Sequence, residues 1–162
     1  MSHDQQNVVI TGVEGFLGFH IRAAIAAERP NWQVTPINRH DYWQNHIWEK
    51  ALAKATSVVH LAAQCRGQEV EENNRAITKK LVDQLAKAKH KIHVTFANSV
   101  HWERPTPYGL SKKFTANQIH SLSQRHGFSF CNLILPNLFG EYGKPNYNSF
   151  VATFCDNLYH GK

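Results

Sequence analysis

Short apolar runs alternate with longer amphipathic stretches along the 162 residues of this chain. Continuous apolar runs are typical of strands that are covered on both faces, and they predict strands at residues 8–11, 33–37, 57–62, 92–97 and 129–135. The stretches between them predict helices at residues 16–28, 45–55, 70–89 and 108–126. A further amphipathic helix is expected from about Ser149.

Strands and helices in this alternating order predict an α/β protein, in which right-handed crossovers build a parallel sheet. We expect a Rossmann-type, doubly wound sheet of about five to six strands with helices on both faces. Pro36 has no N–H for a central ladder, so the second strand is expected near an edge. Because such folds bind ligands at the carboxyl ends of their strands, the residues after each strand are the candidates for chemistry.

The composition is that of an ordinary globular protein, with 42% hydrophobic and 19% charged residues. We expect a cytoplasmic protein without a membrane partner, because the sequence contains neither a membrane span nor a signal-peptide pattern. The three cysteines are far apart and form no CxxC pair, which predicts buried or unused thiols and no metal site.

The formal net charge of +6 suits an anionic partner, and composition leaves nucleic acid, nucleotide and phosphosugar as alternatives. The basic cluster at residues 79–93 is interpreted as a solvated helix end, where cations favour the negative terminus of the helix dipole. It has no interleaved aromatic residues and no nucleic-acid motif nearby, so we expect no nucleic-acid partner.

The segment ITGVEGFLG, residues 10–18, joins the first predicted strand to the first helix. Gly12 allows a tight turn, Gly15 lets a pyrophosphate approach, and Gly18 permits close packing of the helix. The amino terminus of the helix adds N–H donors and partial positive charge. The predicted dinucleotide site therefore includes Thr11, Gly12, Gly15, Phe16, Leu17 and Gly18.

Cofactor choice is normally decided at the end of the second strand, where an acidic residue binds the ribose of NAD. This chain instead has Asn38, which lacks the repelling carboxylate, and Arg39, which can pair with a 2′-phosphate. NADP(H) is therefore favoured over NAD(H). Asp41 and a purely surface role for Arg39 argue the other way.

Small or apolar residues follow the third strand, at Leu61, Ala62 and Ala63, and would let the adenine-side ribose lie against the backbone. His60, at the end of the same run, is interpreted as a packed core imidazole rather than a catalytic residue.

Ser99 ends the fourth strand run, and Tyr108 and Lys112 follow one helical turn apart, so that they share a helix face. A phenol has a pKa of about 10 and exchanges protons poorly at neutral pH, whereas a neighbouring ammonium lowers that pKa. We therefore expect Tyr108 to act as an acid or base, with Ser99 hydrogen-bonding the same substrate oxygen.

Together these motifs resemble the extended branch of the short-chain dehydrogenase/reductase superfamily, the NAD(P)-dependent nucleotide-sugar epimerases, dehydratases and reductases. The subgroup that is most similar comprises reductases that finish deoxysugar precursors for bacterial capsule and surface polysaccharides. The residues that carry the resemblance are TGVEGFLG (11–18), VVHLAA (58–63), Asn74, ANS (97–99), YGLSK (108–112), PNLFG (136–140) and KPNYNSFVATFC (144–155).

The resemblance implies hydride transfer between a nicotinamide ring and a sugar carbon, with Ser99, Tyr108 and Lys112 as the catalytic triad. It also implies that Lys112 holds the nicotinamide ribose and that Pro136 belongs to the cofactor site. A nucleotide sugar would face the remaining polar residues, Asn137, Asn146 and Asn148.

The sequence departs from the pattern of this family in two respects, and from that of its dehydratases in a third. Val100 and His101 stand where dehydratases have an Asp-Glu pair, which disfavours dehydration and leaves reductase and epimerase open. Ile134 replaces an arginine. Extended members also continue into a smaller domain that closes over the substrate.

We therefore expect residues 1–140 to form an NAD(P)-binding Rossmann domain and residues 141–162 to begin a truncated substrate-binding region. Reduction of a UDP-linked 4-keto deoxysugar is the favoured reaction. A non-catalytic NADP(H)-binding or regulatory module is the alternative, and a homodimer is left open.

Overall fold

A computed structural model describes residues 5–161, in which five parallel strands form one sheet in the order β2-β1-β3-β4-β5. The strands are β1 (Asn7–Thr11), β2 (Gln33–Ile37), β3 (Ser57–His60), β4 (His93–Ser99) and β5 (Phe130–Leu135). The helices are α1 (Phe16–Glu28), α2 (Asn45–Leu52), α3 (Val70–Leu85), α4 (Pro107–His126) and α5 (Phe150–Tyr159), and a 3-10 turn at Asp41–Trp43 precedes α2. The predicted α/β, doubly wound parallel sheet is confirmed.

The strand order reverses beside β1, since β2 pairs with one edge of β1 and β3 with the other. The loops that follow β1 and β3 therefore diverge and open a crevice at the carboxyl ends of these strands. β2 is an edge strand in this sheet, which confirms the position predicted from Pro36.

Two hydrophobic clusters cover the two faces of the sheet. The larger cluster joins Trp48 of α2, Leu81 of α3 and Ile119 of α4 to one face. On the other face, α1 packs against a smaller cluster that contains Val8 and Ile10. The sheet is thus covered on both sides near its centre, as the continuous apolar strand runs predict.

β3 ends at His60, two residues before the predicted boundary. The backbone N–H groups of Leu61 and Ala62 donate to the side-chain oxygen of Thr11, at 3.2 and 3.3 Å. These bonds turn the chain away from the sheet, which a run of apolar residues does not reveal.

α3 also stops early, at Leu85 rather than Lys89. After the last helical residue, Lys87 N–H donates to Gln84 O and Ala88 N–H to Leu85 O, which tightens the final turn. Lys87 and Lys89 therefore follow the helix rather than belonging to it, which corrects the interpretation of this part of the basic cluster.

His60 is buried at the crevice end of β3 with only 1% of its surface exposed. Its Nδ1 lies 2.8 Å from Thr11 Oγ1, and its ring stacks on Phe96 with 5.7 Å between centroids. Burial, followed by the charge of Lys112, lowers the pKa of His60 to about 3. The interpretation of His60 as a packed core imidazole is confirmed.

A neutral His60 makes folding sensitive to acid, because below pH 6.5 the unfolded chain binds a proton that the folded chain excludes. Each pH unit between 6.5 and 3 costs about 1.4 kcal/mol of unfolding free energy for such a group. Between pH 6.5 and 4.5 we expect the parent chain to lose about 2 kcal/mol more than His60→Gln, measured by urea unfolding. Equal losses in the two proteins would contradict a neutral buried His60.

Candidate active site

The glycine loop between β1 and α1 approaches the backbone that follows β3. Gly12 has a φ of +71°, and a Cβ added to it would lie 2.7 Å from Ala62 N. A Cβ on Gly18 would lie 2.7 Å from Val13 Cα. Both positions therefore require glycine for backbone contacts, in the places where the sequence predicts a dinucleotide loop.

The amino terminus of α1 begins in the same loop. Gly15 is the N-cap residue, and no side chain caps the helix. The first-turn N–H groups of a helix lack intrahelical acceptors, so this end offers donors and partial positive charge to an anion. The loop and helix end suit the pyrophosphate of a dinucleotide, since backbone atoms can come close where side chains are absent.

The end of β2 forms an open cleft beside this loop, lined by Glu14, Asn38, Arg39, His40, Trp43 and Gln44. Asn38 Nδ2 donates to Asp41 Oδ2 at 2.7 Å, and Asp41 N–H donates back to Asn38 Oδ1 at 2.8 Å. Arg39 N–H donates to Glu14 Oε2 at 3.3 Å. Glu14 is a site residue that the sequence reasoning missed, although it lies inside the glycine motif.

The predicted catalytic residues meet at the carboxyl end of β4. Ser99 ends that strand, and Tyr108 lies in the first turn of α4, whose N-cap residue Thr106 accepts a hydrogen bond from Gly109 N–H at 3.1 Å. Lys112 is buried, donates from Nζ to Ala97 O at 2.7 Å, and lies 5.6 Å from the centroid of the Tyr108 ring.

The structure corrects the expected electrostatics of this group. The pKa of Tyr108 is raised, first by burial and then by the Cys65 thiol, while a hydrogen bond with Ser99 acts to lower it. The pKa of Lys112 is itself lowered to about 8, because burial disfavours its charge. The expectation that Tyr108 has a lowered pKa beside Lys112 is therefore wrong, because burial raises that pKa.

Cys65 is a second candidate residue that the sequence reasoning missed. Its thiol raises the pKa of Tyr108, and the residue is exposed. The expectation of buried thiols is wrong, since all three cysteines, Cys65, Cys131 and Cys155, are free and exposed. The available signal was its position shortly after β3, at the same edge of the sheet as Ser99.

Asn74 of α3 holds the loop after β3 against α4. Its Oδ1 accepts from Gln64 N–H at 2.7 Å, and its Nδ2 donates to Gln64 O at 2.9 Å and to Ser111 Oγ at 3.0 Å. Ser111 Oγ in turn donates to Tyr108 O at 2.8 Å. Asn74 is buried, so this network fixes the loop that carries Cys65 to the helical turn that carries Tyr108.

The predicted substrate residues lie in the segment that follows β5. Asn137 Nδ2 donates to Asn148 O at 3.0 Å, which brings these two residues together. Asn146 has a φ of +56°, and its N–H donates to Thr153 Oγ1 rather than contacting Asn137. The segment meets the loop after β3 where the Arg66 guanidinium lies 5.5 Å from the centroid of the Tyr147 ring.

The segment between Ser99 and α4 folds back over the first helical turn. His101 N–H donates to Ser99 Oγ at 3.2 Å, while His101 Nδ1 is buried without a hydrogen-bond partner among the described residues. A Cβ on Gly109 would lie 2.6 Å from His101 O and closer still to Arg104 O. Gly109 therefore permits the approach that places Ser99 beside Tyr108.

Residues 8–162 match the NAD dependent epimerase/dehydratase family. The chain belongs to this family. The resemblance to extended short-chain dehydrogenases and to polysaccharide-related reductases is confirmed.

The chain is similar to a curated protein of Pseudomonas aeruginosa, the UDP-2-acetamido-2,6-beta-L-arabino-hexul-4-ose reductase. The two are 32% identical over 154 residues, which cover 93% of this chain and 41% of the reductase. The chain thus spans less than half the length of that relative.

Solved structures of similar proteins share the fold. The capsular polysaccharide assembling protein CapF from Staphylococcus aureus is 29% identical with a TM-score of 0.77, covering 97% of this chain and 41% of CapF. The UDP-N-acetylglucosamine 4-epimerase from Bacillus cereus is 21% identical with a TM-score of 0.76, covering 98% of this chain and 62% of the epimerase. At that lower identity, the likeness concerns the fold alone.

Residues 5–161 lack two further features. No helix in this range is long and apolar enough to cross a membrane. Across the same described residues, no three His, Cys, Asp or Glu side chains gather in a way that would hold a metal ion.

The close contacts of Gly109 predict that an added side chain destabilises the fold. In an ordinary helix position, alanine stabilises by about 1 kcal/mol relative to glycine. Here the added Cβ meets backbone oxygens, so Gly109→Ala is expected to lower the free energy of unfolding by about 1–3 kcal/mol. Urea denaturation measures this change, with Leu110→Ala at the adjacent exposed position as the control. Stabilisation of the Gly109 variant would contradict the packing described.

Proposed function

We propose that this chain acts as an NAD(P)-dependent oxidoreductase on a nucleotide sugar, and that it reduces a UDP-linked 4-keto deoxysugar. The observation that carries the proposal is the grouping of Ser99, Tyr108 and Lys112 beside a glycine loop at one edge of the sheet. Membership of the epimerase/dehydratase family and similarity to a UDP-sugar reductase support it.

The glycine loop and the residues after β3 would hold the dinucleotide. Backbone N–H groups of the first turn of α1 would bind the pyrophosphate, and Lys112 would hold the nicotinamide ribose. Hydride chemistry is supplied by the nicotinamide ring when the dinucleotide is bound. Arg39 supports NADP(H), because its cation can pair with a 2′-phosphate. The other residues proposed to contact the dinucleotide are Thr11, Gly12, Gly15, Phe16, Leu17, Gly18, Leu61, Ala62, Ala63 and Pro136.

Tyr108 is suited to donating a proton. Since burial raises its pKa, the phenol keeps its hydrogen at neutral pH. When a ketone is reduced here, its oxygen would take the proton from Tyr108, while Ser99 Oγ would donate a hydrogen bond to the same oxygen. The ketone gains a hydride and a proton, and Tyr108 becomes an anion that the Lys112 ammonium stabilises.

The same electrostatics favour reduction over epimerisation. An epimerase must first oxidise its sugar, which requires Tyr108 to remove a hydroxyl proton. A phenol with a raised pKa is a poor form for that first step, but the correct form for donation. Val100 and His101, in place of the Asp-Glu pair, argue against dehydration.

The segment after β5 is proposed to face the nucleotide sugar. Asn137 and Asn148 are joined by a hydrogen bond, and Asn146 lies in the same segment. Arg66 follows Cys65 in the loop after β3 and contacts Tyr147 of this segment, and its cationic group suits an anionic nucleotide. Residues 141–162 would thus begin a substrate-binding region, next to a dinucleotide-binding region at 1–140.

Removing one oxygen from Tyr108 tests its role as proton donor. Tyr108→Phe should lower turnover of a UDP-linked 4-keto sugar by roughly 100-fold or more, because a positioned general acid contributes about that much. Turnover is followed by the loss of NAD(P)H absorbance, and binding of NADH and NADPH by calorimetry. Dinucleotide binding should be preserved, and Tyr159→Phe at an exposed position should leave both properties unchanged. Full turnover by Tyr108→Phe would refute the assignment.

The lowered pKa of Lys112 predicts how reduction depends on pH. Its ammonium is present below a pKa of about 8 and is lost above it, so stabilisation of the Tyr108 anion should weaken as pH rises. We expect kcat/KM for reduction to fall above about pH 8, whereas a lysine with the ordinary pKa would hold the rate to about pH 10. A Lys113→Met variant, changed at the exposed neighbour, should keep the same profile. A flat rate to pH 10 would contradict the prediction.

A further inference from the structure

Two carboxylates occupy hydrogen-bond donors at the end of β2. Asp41 accepts from Asn38 Nδ2 at 2.7 Å, and Glu14 accepts from Arg39 N–H at 3.3 Å. The Asn38–Asp41 contact is reciprocal, since Asp41 N–H also donates to Asn38 Oδ1. The Asn38 side-chain amide and the Arg39 backbone amide, which follow β2, therefore both donate to carboxylates of this chain.

The position of Glu14 places it at the adenosine end of the proposed dinucleotide site. β1 and β2 are neighbouring parallel strands in which Thr11 pairs with Ile37, so the residues that follow each strand flank one cleft. Glu14 reaches across that cleft from the glycine loop to Arg39. In doubly wound dinucleotide folds, this is the cleft that the adenosine ribose enters.

A ribose hydroxyl and a 2′-phosphate would meet this arrangement differently. The hydroxyl can donate a hydrogen bond to the Glu14 carboxylate. The phosphate can only accept, so it would be repelled by Glu14 and would compete with it for Arg39 N–H. The exposed Arg39 guanidinium acts in the opposite sense, because it attracts the phosphate.

We propose that Glu14 is a specificity-determining residue that opposes the 2′-phosphate of NADP(H) and accepts a hydrogen bond from the ribose of NAD(H). This inference rests on the proposed dinucleotide-dependent function. Glu14 favours NAD(H) and Arg39 favours NADP(H), so Arg39 alone does not decide which cofactor binds.

The test compares affinities for NADPH and NADH, measured by calorimetric titration at one ionic strength. Glu14→Gln keeps the size of the side chain and a hydrogen-bond acceptor but removes the charge. It should raise the affinity for NADPH relative to NADH by roughly fivefold, as expected for one exposed charge pair. Glu72→Gln makes the same change of charge at an exposed site on α3 and should leave the ratio unaltered.

A second variant and a smaller probe locate the effect. Arg39→Ala keeps the backbone N–H that Glu14 accepts, and should shift the ratio toward NADH. Adenosine 2′,5′-bisphosphate and AMP differ only in the 2′-phosphate, so Glu14→Gln should change their relative affinities in the same direction as those of the dinucleotides.

The outcomes separate this inference from the proposed function. Binding of dinucleotides with an unchanged NADPH-to-NADH ratio in Glu14→Gln would overturn the role of Glu14 alone. Failure of the parent chain to bind either dinucleotide would overturn both the role of Glu14 and the proposed oxidoreductase function. A similar shift in Glu72→Gln would also overturn the inference, because the effect would then be one of net charge.

Discussion

The side chain of Thr11 joins the two loops on which the site depends. Its oxygen accepts N–H groups from Leu61 and Ala62, which leaves its hydrogen to donate to Nδ1 of His60. These bonds draw the loop after β3 against the glycine loop, where Gly12 tolerates the contact because it has no Cβ. A single hydroxyl at the reversal of strand order thus shapes the proposed dinucleotide crevice and ends β3.

A second buried hydrogen-bond network connects the loop after β3 to the proposed catalytic helix, α4. The Asn74 side chain bonds both the N–H and the carbonyl of Gln64, and it also donates to Ser111 Oγ. Ser111 Oγ in turn donates to the carbonyl of Tyr108. Because a buried amide without partners is costly, the loop and helix are expected to move as one unit. The network therefore connects the loop proposed to face the cofactor to the helical turn that carries Tyr108.

The sequence was sufficient to predict much of the fold, and the reasons are local. α1 has the predicted bounds because Gly15 precedes it and Arg29-Pro30 follow it. The approach of Cys65 to Tyr108 could not be predicted, since it depends on the path that Asn74 imposes on a loop. The predicted direction of the Tyr108 pKa shift was wrong for a related reason. Sequence spacing shows that Lys112 is near, but it does not show that Tyr108 is buried, and burial is what raises its pKa.

Burial acts on both proposed proton-handling groups and pushes each toward its neutral form. Tyr108 keeps its proton more strongly, while Lys112 releases its proton more easily, at a pKa of about 8. At neutral pH the pair is therefore a neutral phenol beside a cation whose charge is held by Ala97 O. When Tyr108 gives up its proton, the negative charge would appear beside the Lys112 ammonium, which offsets part of the cost that burial places on the phenolate. Under the proposed function, a phenol that stays protonated until a substrate oxygen becomes basic, beside a cation that can then face its anion, is the form suited to protonating a reduced carbonyl group.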